Sequence, residues 1–192
     1  MNHYVELTLI PNLETPLFYL WQKLYQQIHI ALADNKEDGG LSAIGLSFPE
    51  YDATEFSLGT KLRLLAADEG ILEKLNIGKW LARLSDYVHI SSIRPVPASV
   101  AGYACFNQVK IKGNRENLAR RRAKRSGESF EQSLAHFNDY QQERSKLPYI
   151  QMQSVTNGHR FRLFIDKIDA EEPTLGPFSC YGLSRTTTVP LF

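Results

Sequence analysis

Three kinds of side chain in this sequence suit chemistry on a polyanion: a helix histidine, hydroxyls beside a turn, and a dense run of cations. His29 sits in a helical segment, one position past Ile28 of the apolar stripe, at the border between the buried and wet faces. Imidazole exchanges protons near neutral pH, so a histidine held at such a border suits general acid or base work; a structural helix histidine fits the same place. His3 and His89 fall on strand edges, His136 on a polar helix face and His159 in a turn after Gly158. Ser154 and Thr156 close a strand before the turn Asn157–Gly158. Hydroxyls there can hold a ribose hydroxyl or a phosphate, or simply cap the turn. In HRFRLFI, strand alternation puts Phe161 and Leu163 on one face and Arg160, Arg162 and Phe164 on the other. An aromatic so placed stacks on a base or joins the core. Tyr181 precedes Gly182, which sets it beside a backbone bend or in the core.

The cations concentrate between Lys110 and Arg125. Lys110, Lys112, Arg115, Arg120, Arg121, Arg122, Lys124 and Arg125 face one acid, Glu116, in a chain whose net charge is only +1. A nearly neutral protein with one strongly basic element has the electrostatic footprint of a nucleic-acid binder. The run also reads as a helix, with Asn114 as its cap, Glu116 in the first turn, Leu118 as an apolar anchor and Gly127 as its stop. Arg120 and Lys124 are four apart, as are Arg121 and Arg125, so they form a double row with Arg122 on its flank. Such a row fits a nucleic-acid groove or phosphate backbone; a solvated face or an acidic protein partner would accept it too.

Those groups need a frame, and 192 residues with 43% apolar content can build one without staples. The two cysteines, Cys105 and Cys180, give no disulfide framework and no zinc spacing, so buried free thiols are expected. No run approaches the roughly 18 apolar residues of a membrane span, and MNHYVELTLIP is too polar for a signal peptide; a cytoplasmic location is expected. The sequence has no Walker loop, no dinucleotide fingerprint and no carboxylate cluster at metal spacing, so neither cofactor nor metal is expected.

The element pattern starts with a strand at 3–10, then a helix from Pro16, capped by Thr15. Leu17, Leu20, Leu24, Ile28 and Ala31 form its apolar stripe. Strands follow at 42–48 and 61–66, then a helix from the cap Asp68 to about Arg83 and a short strand at 86–90. That order is βαββαβ, the ferredoxin-like pattern shared by RNA-recognition modules. Pro95 and Pro97 then break the chain, dividing it into a ferredoxin-like domain over 1–94 and an RNA-binding region over 95–192. The second region runs extended over 100–112, enters the basic helix, continues in a helix over 129–144 and finishes in strands at 149–154, 160–166 and 178–183. The fold class is therefore α+β, an N-terminal ferredoxin-like, RRM-like domain joined to a C-terminal α/β region carrying an arginine-rich helix.

Several segments together resemble a known family. NHYVELTLIP, IHIAL around His29, IGLSFP at 44–49, LGTKLR at 58–63, NRENLARRRAKR at 114–125, GHRFRLFI at 158–165 and CYGLSRTTTVPLF at 180–192 occur in one order, nearly end to end. They are similar to the CRISPR repeat-processing endoribonucleases of the type I-F systems, within the repeat-associated RNA endonuclease superfamily. The resemblance implies an enzyme that cuts precursor RNA at the 3′ base of a repeat hairpin. It works without metal or cofactor and keeps its product within a larger surveillance complex. His29 falls on the family's catalytic histidine, Ser154 on the serine that fixes the 2′-hydroxyl and Tyr181 on an active-site tyrosine. Phe161 falls on the aromatic that stacks beneath the terminal base pair. Arg120, Arg121, Lys124 and Arg125 fall on the phosphate-binding face of the basic helix. Lys112, Arg115, Arg122 and Thr156 complete the expected RNA contacts. Gln108 and Lys110 stand where the family reads bases with arginine and glutamine, which alters the base code. Lys124 replaces an arginine, so a bidentate phosphate contact becomes a point charge. Ser126 stands at a position of histidine contact. A monomer on one RNA is the expected assembly; a non-catalytic RNA-hairpin-binding subunit is the rival reading.

Overall fold

Alternation along HYVELTL sets the first strand, β1 (His3–Leu9), which buries Val5, Leu7 and Leu9. In the computed structural model, which describes residues 1–37, 39–55, 57–111, 113–141 and 145–192, helix α1 (Leu17–Asp34) follows. It buries Leu20, Trp21, Leu24, Tyr25, Ile28, Ala31 and Leu32, the three- and four-residue spacing of an amphipathic helix. Thr15 does not cap it. Pro16 occupies the cap position with no side-chain bond, and the approach is fixed by Asn12 Oδ1, which accepts from the backbone N–H groups of Glu14 and Thr15.

Strand β2 (Gly45–Ser47) is shorter than expected because Ser42 pairs with Phe178 instead, its hydroxyl accepting from the Ile44 N–H. Strand β3 (Lys61–Ala66) places Arg63 directly opposite Glu6 of β1, and the two form a 2.8 Å ion pair. Asp68 caps α2 (Glu69–Leu75) by accepting from the Gly70 N–H at 2.8 Å. The expected helix to Arg83 is in fact three pieces. Asn76 turns left-handed at φ +47°, so α3 (Ile77–Trp80) and a 3₁₀ turn (Ala82–Leu84) follow separately. Strands β4 (Val88–Ile90) and β5 (Arg94–Pro95) complete this half. The strand order β2-β3-β1-β4, antiparallel throughout, together with the βαββαβ chain order, is the ferredoxin-like arrangement. Pro95 is part of the sheet, since β5 pairs with the start of β1.

Strand β6 (Gly102–Val109) belongs to a second antiparallel sheet. Two helices follow it in the chain, α4 (Arg115–Ser126) and α5 (Phe130–Ala135). Strands β7 (Tyr149–Gln153), β8 (Arg160–Ala170) and β9 (Val189–Leu191) complete that sheet in the order β7-β8-β6-β9. The expected strand at 178–183 is not one. Phe178 makes a single bridge to Ser42, a turn begins at Ser179, and β9 takes the sheet edge beside β6. Residues of both sheets share one core, including Leu7, Leu24, Ile28, Phe106, Ile150 and Leu163. Each such side chain contributes about 1.5–3 kcal/mol on burial.

The chain forms two compact units, Met1–Val109 with Leu147–Phe192, and Lys110–Lys146. The division expected at residue 94 therefore falls inside the first unit, whose core includes side chains of β6, β7 and β8. In the second unit Asn114 caps α4 by accepting from the Asn117 N–H at 2.9 Å, and Gly127, at φ +75°, ends it left-handed. A reciprocal Ser129–Gln132 capping box starts α5. This helix stops at Ala135, short of the expected end at Arg144, which lies outside the described residues. Among the described residues no helix is long and apolar enough to cross a membrane.

Candidate active site and basic helix

Tyr25 and His29 lie four residues apart on α1 and reach the same turn of the C-terminal segment. The Tyr25 hydroxyl donates to the Tyr181 carbonyl at 2.8 Å. His29 Nδ1 lies 3.0 Å from the Cys180 carbonyl. A carbonyl can only accept, so Nδ1 carries the hydrogen, and in the neutral ring Nε2 keeps its lone pair. No hydrogen bond among the described residues occupies Nε2. The Tyr181 ring lies flat on the imidazole, with centroids 4.0 Å apart and planes 2° apart. Bond and stack together restrain the histidine about χ1 and χ2, and the ring remains only half-buried.

The turn that receives these contacts is itself fastened. The Gly182 N–H donates to the Ser179 carbonyl at 2.8 Å, and the Ser179 hydroxyl donates to the Leu183 carbonyl at 2.9 Å. The Leu46 N–H of β2 donates to the Gly182 carbonyl at 2.9 Å. Gly182 has φ +69°, and a Cβ there would lie 2.4 Å from Leu46 Cγ, so both backbone and space demand glycine. Burial pushes the Tyr25 phenol well above its ordinary 10, with Tyr181 and Cys180 adding to the shift. Tyr25 therefore stays protonated and remains a donor. Burial also raises the Tyr181 phenol, with a smaller contribution from Cys180.

Ser154 follows β7. Its N–H donates to the His159 carbonyl at 2.8 Å and its carbonyl accepts from the Gly158 N–H at 2.9 Å, closing the turn. With Gln22, Lys23, Gln26, Ile30 and Val155 it lines a cavity of about 330 Å³. Gln26, one helical turn before His29, ties this turn to α1 by accepting from the Gln153 N–H at 3.2 Å. The structure thus joins His29 to Tyr181 directly, whereas Ser154 makes no hydrogen bond to His29 and reaches α1 through its neighbour Gln153. Thr156 is exposed at the tip of the turn. Phe161 faces the core side of β8, opposite Met152, and is half-buried. Phe164 faces the other way, its ring 5.4 Å from that of Tyr149. Gln108 pairs opposite Ile165 and is partly exposed.

In the second unit, Lys110 is exposed and Lys112 lies outside the described residues. Arg115 turns inward to the Leu134 carbonyl and to Asn138 Oδ1. Arg122 is forked onto Glu128, with Nε and Nη2 at 3.0 and 3.1 Å from its two oxygens, and this contact holds the Glu128 carboxyl below its usual range. Arg120 is exposed, with its guanidinium 5.9 Å from the Phe130 ring centre. Arg121, Lys124 and Arg125 are exposed and form no ion pair among the described residues. Of the helix cations, Arg115 and Arg122 have internal partners, leaving Arg120, Arg121, Lys124 and Arg125 facing solvent. Sequence reasoning missed Tyr25, Gln26 and Glu128. The spacing of Tyr25 four residues before His29 was the one available signal.

The family described as CRISPR-associated protein (Cas_Csy4) matches residues 4–192. The chain is 33% identical over 193 residues to the CRISPR-associated endonuclease Cas6/Csy4 of Escherichia coli (strain UTI89 / UPEC), covering 100% of both chains. It is 34% identical over 196 residues to the protein of the same name from Pseudomonas aeruginosa (strain UCBPP-PA14), again over 100% of both. A solved structure from work on a Cas6-related gene of Pyrococcus furiosus aligns over the whole chain at 10% identity and a TM-score of 0.37, an overlap too loose to carry the fold, which rests on the strand order above.

Proposed function

The chain belongs to the Csy4 family of CRISPR-associated proteins, and from that premise we propose that it is a hairpin-specific endoribonuclease acting on CRISPR precursor RNA. The observation that carries the reading is the held imidazole: Nδ1 committed to the Cys180 carbonyl, the ring stacked on Tyr181, and Nε2 without a hydrogen bond among the described residues.

The reaction is in-line attack by the 2′-oxygen at the cut. The 2′-oxygen–phosphorus bond forms and the bond from phosphorus to the 5′-oxygen breaks. A proton leaves the 2′-hydroxyl and one joins the departing 5′-oxygen. The products are a 2′,3′-cyclic phosphate and a 5′-hydroxyl, and no metal is required. His29 Nε2 takes the first proton or supplies the second, a role contributing roughly 10²–10⁴-fold. Ser154 Oγ holds the ribose in the reactive geometry, and Tyr181 orients the imidazole. Phe161 stacks beneath the last base pair of the stem. Arg120, Arg121, Lys124 and Arg125 hold the phosphates of the stem, while Gln108 and Lys110 contact its foot. The protein acts as a cytoplasmic monomer on one RNA, retains the product and joins a type I-F surveillance complex with it.

The test is cleavage of a type I-F repeat hairpin in EDTA by wild type and His29→Ala, with a second substrate bearing one 2′-deoxy at the cut. Cleavage by wild type alone, blocked by either change, supports the reading. His29→Ala cutting at the wild-type rate would remove the histidine from the mechanism. Tight binding without cutting in any lane would leave an RNA-binding subunit.

A further inference from the structure

Beside the cavity at Ser154 lies a second one that no step of the reaction uses. Lys23 lines both. The second, of about 480 Å³, is lined by Gln27 of α1 and by Lys79, Trp80 and Arg83 beyond it. Among the described residues that line it, three are cations and none is an acid. Lys79 and Arg83 are exposed and form no ion pair among the described residues. The Trp80 Nε1–H donates to the Leu75 carbonyl at 3.2 Å, which fixes the edge of a half-buried ring. Tyr19, 42% exposed, has its ring 5.1 Å from Lys23 Nζ.

Unpaired cations alternating with aromatic faces and side-chain amides are what single-stranded nucleic acid needs. Phosphates meet the cations, bases stack on the rings, and Gln22 and Gln27 offer donors and acceptors to base edges. Both cavities are within the size range that encloses a small ligand. We propose that this surface, running from Ser154 over Lys23 to Lys79, Trp80 and Arg83, binds the single-stranded RNA immediately downstream of the cut. The inference rests on the reading that Ser154 holds the ribose at the cut. On that reading the stem side is stiff duplex, while the downstream side is single-stranded and can follow a pocketed surface.

The test uses hairpins made uncleavable by one 2′-deoxy at the cut. One ends a nucleotide past the cut, one carries six uridines downstream, and one carries six uridines upstream. Wild type binds the downstream-flanked RNA roughly five- to tenfold more tightly than the flankless one at low salt, and the upstream flank adds nothing. The double variant Lys79→Glu/Arg83→Glu and, separately, Trp80→Ala lose that gain. Both bind the flankless hairpin as wild type does, which also reports that they fold. The proposal is overturned if the downstream flank brings no gain, if the gain survives both variants, or if it follows the upstream flank. Absence of any gain, with the flankless hairpin still bound and cut normally in its ribose form, assigns the patch to a different occupant such as a protein partner and leaves the nuclease reading intact. Failure of wild type to bind the flankless hairpin sinks the nuclease reading itself, and this inference with it.

Discussion

Tyr25→Phe removes one oxygen atom and tests whether the turn carrying Tyr181 is held from beneath. The phenol is completely buried and its hydroxyl donates to the Tyr181 carbonyl at 2.8 Å. Loss of a buried donor leaves that carbonyl unsatisfied, a cost of about 1–3 kcal/mol. For a protein of this size each kcal/mol lowers Tm by about 2–4 °C, so a fall of about 2–12 °C is expected. The variant also changes the alkaline limb. The folded phenol is raised above its ordinary 10, so its contribution to stability is complete below the unfolded value and is lost as pH rises through the folded one. Wild type therefore loses stability above about pH 10 more steeply than Tyr25→Phe does. Thermal melts of both proteins from pH 7 to 11, with hairpin cleavage measured in parallel at pH 7, make the comparison. Cleavage falls in step with any loosening of the stack on His29. A variant that melts within a degree of wild type, with the same alkaline slope, would refute the claim that this hydroxyl holds the turn.

Two further outcomes separate groups that look alike in the sequence. Arg121→Ala weakens hairpin binding and lowers the salt slope by about one, since this cation has no protein partner among the described residues. Arg122→Ala leaves the slope nearly unchanged and lowers the thermal stability of the second unit, because its guanidinium is already forked onto Glu128; equal slopes lost in both variants would refute the distinction. Glu50 accepts from the Thr60 N–H and lies below its ordinary 4.5, so its contribution is present above that value and is lost as pH falls through the lowered one. Acid melts of Glu50→Gln should accordingly show a shallower loss below about pH 4.5 than wild type, and coincident curves would remove this carboxylate from the acid limb.

Local signals were legible where neighbours in the chain decide the outcome. The Asn114 cap and Gly127 stop bound α4 as expected, and the β1 alternation buries the residues it should. The βαββαβ order gave the first sheet. His29 and Tyr181 were picked out 152 positions apart through a resemblance, and the structure stacks their rings. What escaped depends on distant partners. Tyr25 reads as one more core aromatic until its hydroxyl meets a carbonyl from the far end of the chain. Residues 178–183 are strand-like in composition, yet the left-handed Gly182 and the Ser179 hydroxyl curl them into a turn. Arg115 and Arg122 count as charge in a sequence, but Arg115 finds the Leu134 carbonyl only when α5 packs beside it, and Arg122 finds Glu128 only once Gly127 turns the chain back.

The polar contacts that Tyr25 and His29 of α1 make with this turn end on the main-chain oxygens of residues 181 and 180. A carbonyl cannot be substituted away, so the clamp tolerates drift at position 180 that a side-chain acceptor would not survive. Its weakness is of another kind. An insertion or deletion between Ser179 and Leu183, or any Cβ at 182, would move both acceptors at once. Distant homologues of this site are therefore better sought by the length and glycine of that loop than by the identity of Cys180.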